Sequence, residues 1–201
     1  MSIVDPPPVA RVSSGRFLPG LLFCLLTACS TRIDPTIAIA SSDAGPSGDA
    51  GDAASECVEL ERGSSRYWIC SGPLASHAAA SEACQRRGAV LASVSSAEEN
   101  AFLATSAANI ATHSNLWLGG TRDDDHVWSW PDGSVFWRGL IDGEPADGAY
   151  VNWQSGEPNN TSTVLDEPER CAALALFDTG WRDRACSLEL SYFCEAPLPA
   201  P

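Results

Sequence analysis

Lysine is missing from this chain: its 12 basic residues are all arginine, set against 26 acids, for a formal net charge of −14. Such a surface repels nucleic acid and anionic membrane, so neither is expected as a direct partner. It suits divalent cations, and surplus acid also keeps an exported domain soluble. The chain also lacks the local signatures of catalysis. There is no HExxH, GxSxG or phosphate-binding glycine loop, and His77, His113 and His126 are scattered. A binding module is expected, not an enzyme. No CxxC pair occurs, which disfavours zinc knuckles and thioredoxin-type redox chemistry. No internal repeat is visible beyond Gly143-Glu144-Pro145 echoing Gly156-Glu157-Pro158. The one long apolar run, Phe17 to Ala28, is too short to span a bilayer comfortably.

What is present divides the chain into four parts. Arg11 and Arg16 precede the apolar run, a pattern that reads as an export signal over residues 1–28. From 29 to 56 the composition shifts to Ala, Gly, Ser, Asp and Pro, too poor in apolar residues to offset the cost of ordering, so a flexible acidic tether is expected. Residues 57–196 carry the folded domain and 197–201 a short tail. Of the 8 cysteines, Cys24 and Cys29 lie near the start, while Cys57, Cys70, Cys84, Cys171, Cys186 and Cys194 fall in the domain. An even set without metal-type spacing implies disulfides formed in an oxidising compartment; their pairing stays open on these grounds.

Within the domain, Tyr67 to Cys70 reads as a strand. A helix is expected from Ser76, its N-cap, to Arg87, with Gly88 as its stop. Ala89 to Val94 is strand-like. A second helix opens at Ser96 with Glu99 completing a capping box, and Phe102, Leu103 and Ile110 supply its buried face. Beyond Asn115 the chain turns to short strands and long loops rich in tryptophan, closing with strands at Cys171–Phe177 and Ser191–Glu195. Helices first and strands after is an α+β arrangement. The segment Asn152-Trp-Gln-Ser-Gly-Glu-Pro-Asn-Asn160 is an ordered loop, because Gly156 and Pro158 exclude regular helix or central strand. With a cis bond between Glu157 and Pro158, Glu157 and Asn159 present oxygen to one side, as a hard cation such as calcium requires.

Several motifs together carry a family resemblance: Trp117-Leu118-Gly119, Trp128-Ser-Trp-Pro-Asp-Gly133, Asn152-Trp153, Glu157-Pro158-Asn159 and the Trp181-x-Asp183-x-x-Cys186 ending. With them, Cys57 to Glu195 resembles a long-form C-type lectin domain: two helices, small antiparallel sheets and a long loop region, stapled by disulfides. The resemblance implies pairs Cys57–Cys70, Cys84–Cys194 and Cys171–Cys186. It implies a calcium ion held by Glu157, Asn159, Glu169 and Asp183, the last through side chain and carbonyl. The same four residues would bind sugar hydroxyls. The Glu-Pro-Asn order is similar to that of binders of mannose-type sugars. A glycan or glycoconjugate is therefore the expected partner. The alternative is a calcium-independent protein-binding or structural domain of the same fold, with a protein ligand. Two departures stand out. Arg182 replaces an asparagine ligand, and Asn160 and Arg170 replace acids of an auxiliary calcium site, which is expected to be absent or altered. Leu26-Thr27-Ala28-Cys29 resembles the lipobox of bacterial lipoproteins, implying lipidation of Cys29. Contact with a membrane is then through that anchor alone, and the location is the cell surface or outer membrane, otherwise secreted.

Overall fold

The computed structural model describes residues 57–162 and 166–199. The expected signal segment, Cys29 and the tether at 29–56 lie outside the described residues.

The chain opens with a hairpin, β1 (Cys57–Arg62) and β2 (Ser65–Ala75), whose register sets Cys57 opposite Cys70. That register makes the Cys57–Cys70 disulfide a cross-strand staple. Helix α1 (His77–Arg86) starts where the Ser76 hydroxyl accepts from the Ala79 amide and ends as Gly88 turns to φ +70°, a conformation open to glycine. The apolar run after it yields only a two-residue strand, β3 (Val90–Leu91). Helix α2 (Ala97–Ala108) is capped by Ser96, as expected, with Glu98 and Glu99 in its first turn. The Glu99 carboxylate does not return to the Ser96 amide as in a capping box. It accepts from the amide and hydroxyl of Ser95 and from the Tyr67 hydroxyl, tying α2 to β2. The buried face of α2 is Asn100, Leu103, Ala104 and Ala107; Phe102 and Ile110 are only partly covered.

The strand-rich half comprises β4 (Asn115–Arg122), β5 (Val127–Ser129), β6 (Val135–Arg138), β7 (Glu144–Pro145), β8 (Glu169–Ala175), β9 (Trp181–Ala185) and β10 (Leu190–Pro197). They join one sheet in the order β1-β2-β10-β4-β5-β6-β7, with β3 against β10, β8 against β4, and β9 against β8. Most pairs are antiparallel, but β10 runs parallel to β4, so the sheet is mixed rather than wholly antiparallel. The first Gly-Glu-Pro copy is not a loop like the second: Glu144 and Pro145 pair with Arg138 and Trp137.

Glycine is required at two adjoining positions of β4. A methyl group on Gly119 would lie 2.6 Å from the Leu91 carbonyl oxygen, and one on Gly120 would press on Ala172 and Phe136. Around this close approach, Trp128, Trp130, Phe136, Trp153 and Trp181 interlock edge-to-face and stacked, with Trp128 and Trp181 fully buried. Trp117 packs instead on the α1 side, edge-on to His77. The disulfides Cys84–Cys194 and Cys171–Cys186 join α1 to β10 and β8 to the end of β9.

His77 is a helix residue, but a buried one, its Nε2 2.9 Å from the Leu118 carbonyl oxygen. Burial disfavours the imidazolium and lowers its pKa from 6.5, despite the carbonyl. The unfolded chain then takes up this proton more readily than the folded one, so stability drops as pH falls below about 6.5. Wild type is expected to lose more melting temperature between pH 7 and about 5 than His77→Gln, which keeps a donor for the carbonyl. Equal losses in calorimetry would show that His77 carries no such linkage.

Candidate functional site

The loop between β7 and β8 is pinned at its start to β9. Trp181 donates its amide to the Asn152 carbonyl and accepts from the Gln154 amide, while the Asn152 side chain donates to the Thr179 carbonyl. A turn follows, closed by the Glu157 amide on the Gln154 carbonyl, and Gly156 supplies the φ of +90° that it needs. The Glu157–Pro158 bond is cis, as expected. The next two residues drop onto Asp183. The Asn159 amide donates to its Oδ1 at 2.9 Å and the Asn160 amide to its Oδ2 at 2.7 Å. Asp183 is completely buried, so both bonds are charge-assisted in a medium that screens them little.

Asn160 adopts φ +54° and becomes a bridge. Its Oδ1 accepts from the Glu169 amide at 3.0 Å and from Arg122 Nη2 at 2.8 Å. The same guanidinium reaches the Glu169 carbonyl oxygen and contacts His126 Nδ1. Asn160, one of the residues expected to weaken an auxiliary calcium site, thus meets a buried arginine. The other, Arg170, pairs with Asp124 at 2.6 Å.

Glu157, Asn159 and Glu169 line one cavity of about 340 Å³, together with Thr161, Ser162, Arg182, Arg184 and Leu188. Asp183 stands beneath it. Burial pushes the Glu157 carboxyl up to about 8, helped by a hydrogen bond to Asp183 and that residue's charge. Glu169 is also raised, by burial first and then by Asp183. Arg184 acts oppositely on both. Three carboxyl groups therefore feel one another across a partly desolvated space.

The donor set meets the needs of a calcium ion in part. In favour, Glu169 is only 3% exposed, and its Oε2 is buried without a hydrogen-bond partner. Against, Asn159 turns its amide nitrogen to Glu157 Oε2 at 2.7 Å and its oxygen to the Thr161 amide. Among the described residues, no three His, Cys, Asp or Glu side chains form a group able to hold a metal as placed. The residue types and the unmatched oxygen fit a hard cation; the present arrangement is one balanced by arginine. Arg182, the expected obstacle, lies over the Phe177 ring at 4.6 Å and near Asp178. Arg184 is the guanidinium among the acids: its Nη1 donates to the Asp183 carbonyl at 3.0 Å and lies 3.9 Å from Glu169 Oε1. Sequence reasoning missed it. The available signal was its place two residues after Arg182, since alternate residues of a strand share a face.

Residues 74–196, more than half of the chain, match the family described as "Lectin C-type domain". The chain belongs to that family. Among curated C-type lectins, it is 30% identical over 118 residues to C-type lectin domain family 4 member M of Symphalangus syndactylus, covering 58% of this chain and 24% of the relative. It is 28% identical over 114 residues to human C-type mannose receptor 2, covering 56% of this chain and 6% of that much longer protein. The chain thus spans a quarter or less of these relatives. Among solved C-type lectin folds, the carbohydrate-recognition domain of cow CD23, determined with a GlcNAc2Man3 oligosaccharide, superposes with a TM-score of 0.56 at 23% identity, covering 71% of this chain and 95% of that one. A calcium-independent type II antifreeze protein superposes with 0.53 at 22%, covering 70% and 95%. One protein of this fold is thus named calcium-independent, so the fold alone does not fix calcium binding in this chain.

Proposed function

We propose that this C-type lectin domain binds carbohydrate of the mannose type at the cavity lined by Glu157, Asn159 and Glu169 above Asp183, with calcium as the ion these four residues hold. The observation that carries the proposal is the convergence of Glu157 and Glu169 above buried Asp183, with one Glu169 oxygen unmatched. Calcium, when bound, supplies an oxygen-seeking centre that vicinal sugar hydroxyls complete. The chain's own part is to accept hydrogen bonds from those hydroxyls at Glu157 and Glu169 and to donate one from Asn159 Nδ2. Membership in the family and the sugar-recognition names of its relatives support this reading. Export through residues 1–28 and lipidation at Cys29 belong to the proposal on sequence pattern alone, and the animal relatives add nothing to them.

The second reading, a calcium-independent domain with a protein ligand, is favoured by Arg184 among the acids. Retention on immobilised mannose separates the two. The protein is expected to bind in calcium and to elute with chelator, and Glu157→Gln to pass through unretained. Retention that ignores chelator, or none at all, would count against the calcium-bridged sugar site.

A further inference from the structure

We propose that Arg184 is a built-in counter-ion for the calcium position, so that the site has two exclusive states, one closed by its guanidinium and one opened by the metal. This rests on the calcium placement above.

Asp183 has its two carboxylate oxygens on the amides of Asn159 and Asn160, and its carbonyl on Arg184 Nη1. Glu169 presents Oε1 toward the same Nη1, while its Oε2 is left unmatched. A single guanidinium nitrogen thus stands between two of the oxygen groups expected to face an ion, the Asp183 carbonyl and the Glu169 carboxylate. The Arg184 side chain is 19% exposed and that of Glu169 is 4% exposed, so their attraction is not dissipated into bulk water. Two positive centres cannot share these oxygens at such separations. The unmatched Oε2 marks what Arg184 leaves undone, and a divalent ion, which takes more oxygens than one guanidinium nitrogen can, matches it better.

On the opposite flank Arg122 takes the Glu169 carbonyl and the Asn160 side chain. It is only 6% exposed and contacts no carboxylate oxygen of the cavity. The backbone of the loop is thereby fixed in either state, and the exchange is confined to Arg184. Its long side chain can leave for solvent at the cavity mouth, which an arginine does at modest cost.

The test is calcium calorimetry on wild type, Arg184→Met and Arg182→Met. Methionine keeps the unbranched apolar stem of the side chain, removes the charge and adds no oxygen. Arg184→Met is expected to bind calcium about tenfold tighter or better, because a unit charge opposing a divalent ion nearby is gone. Arg182→Met makes the same change in net charge at a side chain stacked on Phe177, and is expected to gain far less. Amide exchange gives a readout free of variants. In wild type the Asn159 and Asn160 amides keep their protection in chelator, since both stay on the Asp183 carboxylate while Arg184 holds its carbonyl. Equal gains in both variants, no gain in Arg184→Met, no calcium binding by either, or loss of wild-type protection in chelator would each overturn the proposal. Tight calcium binding by Arg184→Met without retention on mannose would instead leave it standing and sink the sugar reading.

Discussion

Asp183→Asn is expected to abolish calcium-dependent retention on mannose and to lower folding stability by about 3 kcal/mol, read from urea unfolding. The substitution changes almost no volume, so the effect isolates charge and acceptor capacity. Asp183 is wholly buried, and its two oxygens each accept a backbone amide from the loop. Asparagine can accept one of those amides, but its own NH2 group must then face the other donor. A buried backbone N–H left without a partner costs about 1–3 kcal/mol, and the remaining bond loses its charge assistance. Relief of repulsion with Glu157 and Glu169 offsets part of this. The loop is joined to β9 at Trp181 and again at Asp183, so loss of the second attachment frees Glu157 and Asn159 together. An unchanged urea midpoint with full retention would mean that the loop holds its shape without this carboxylate.

Removing the Cys84–Cys194 disulfide by a double substitution to serine is expected to cost about 5 kcal/mol in the chain-entropy account, because the bond closes a loop of 110 residues. The same change at Cys171–Cys186, separated by 15, is expected to cost about 3 kcal/mol. Both Cys84 and Cys194 are completely buried, so the longer bridge also loses packing. For a domain stable by about 5–15 kcal/mol, the first loss consumes a large share of the total. Calorimetric melting of the two double variants should therefore rank Cys84–Cys194 as the costlier deletion. The reverse order would place the stabilisation in local contacts of β8 and β9 rather than in chain closure.

How much of this could be read in advance differs by residue. Both helix N-caps were legible, since a serine followed by a run of good helix formers acts locally. The cis Glu157–Pro158 loop was legible in its own proline, while the three disulfide pairs rested on the family resemblance alone. Local pattern was a poorer guide to Glu99, whose carboxylate went to Tyr67 and Ser95 because β2 packs across the start of α2. The echo of Glu157-Pro158 at Glu144 and Pro145 was no guide to structure either, since β6 captures that pair as a strand.

The arginines mark the limit most clearly. Charge balance and motif order determined an acidic, disulfide-stapled α+β lectin domain, and pointed to Glu157, Asn159, Glu169 and Asp183 as the proposed site. Which guanidinium enters that site was a tertiary decision. Arg182 and Arg184 flank the same aspartate in sequence, yet one stacks on Phe177 and the other turns to Glu169. A long flexible side chain goes to whichever partner the fold brings within reach, and Glu169 arrives only through the pairing of β8 with β9.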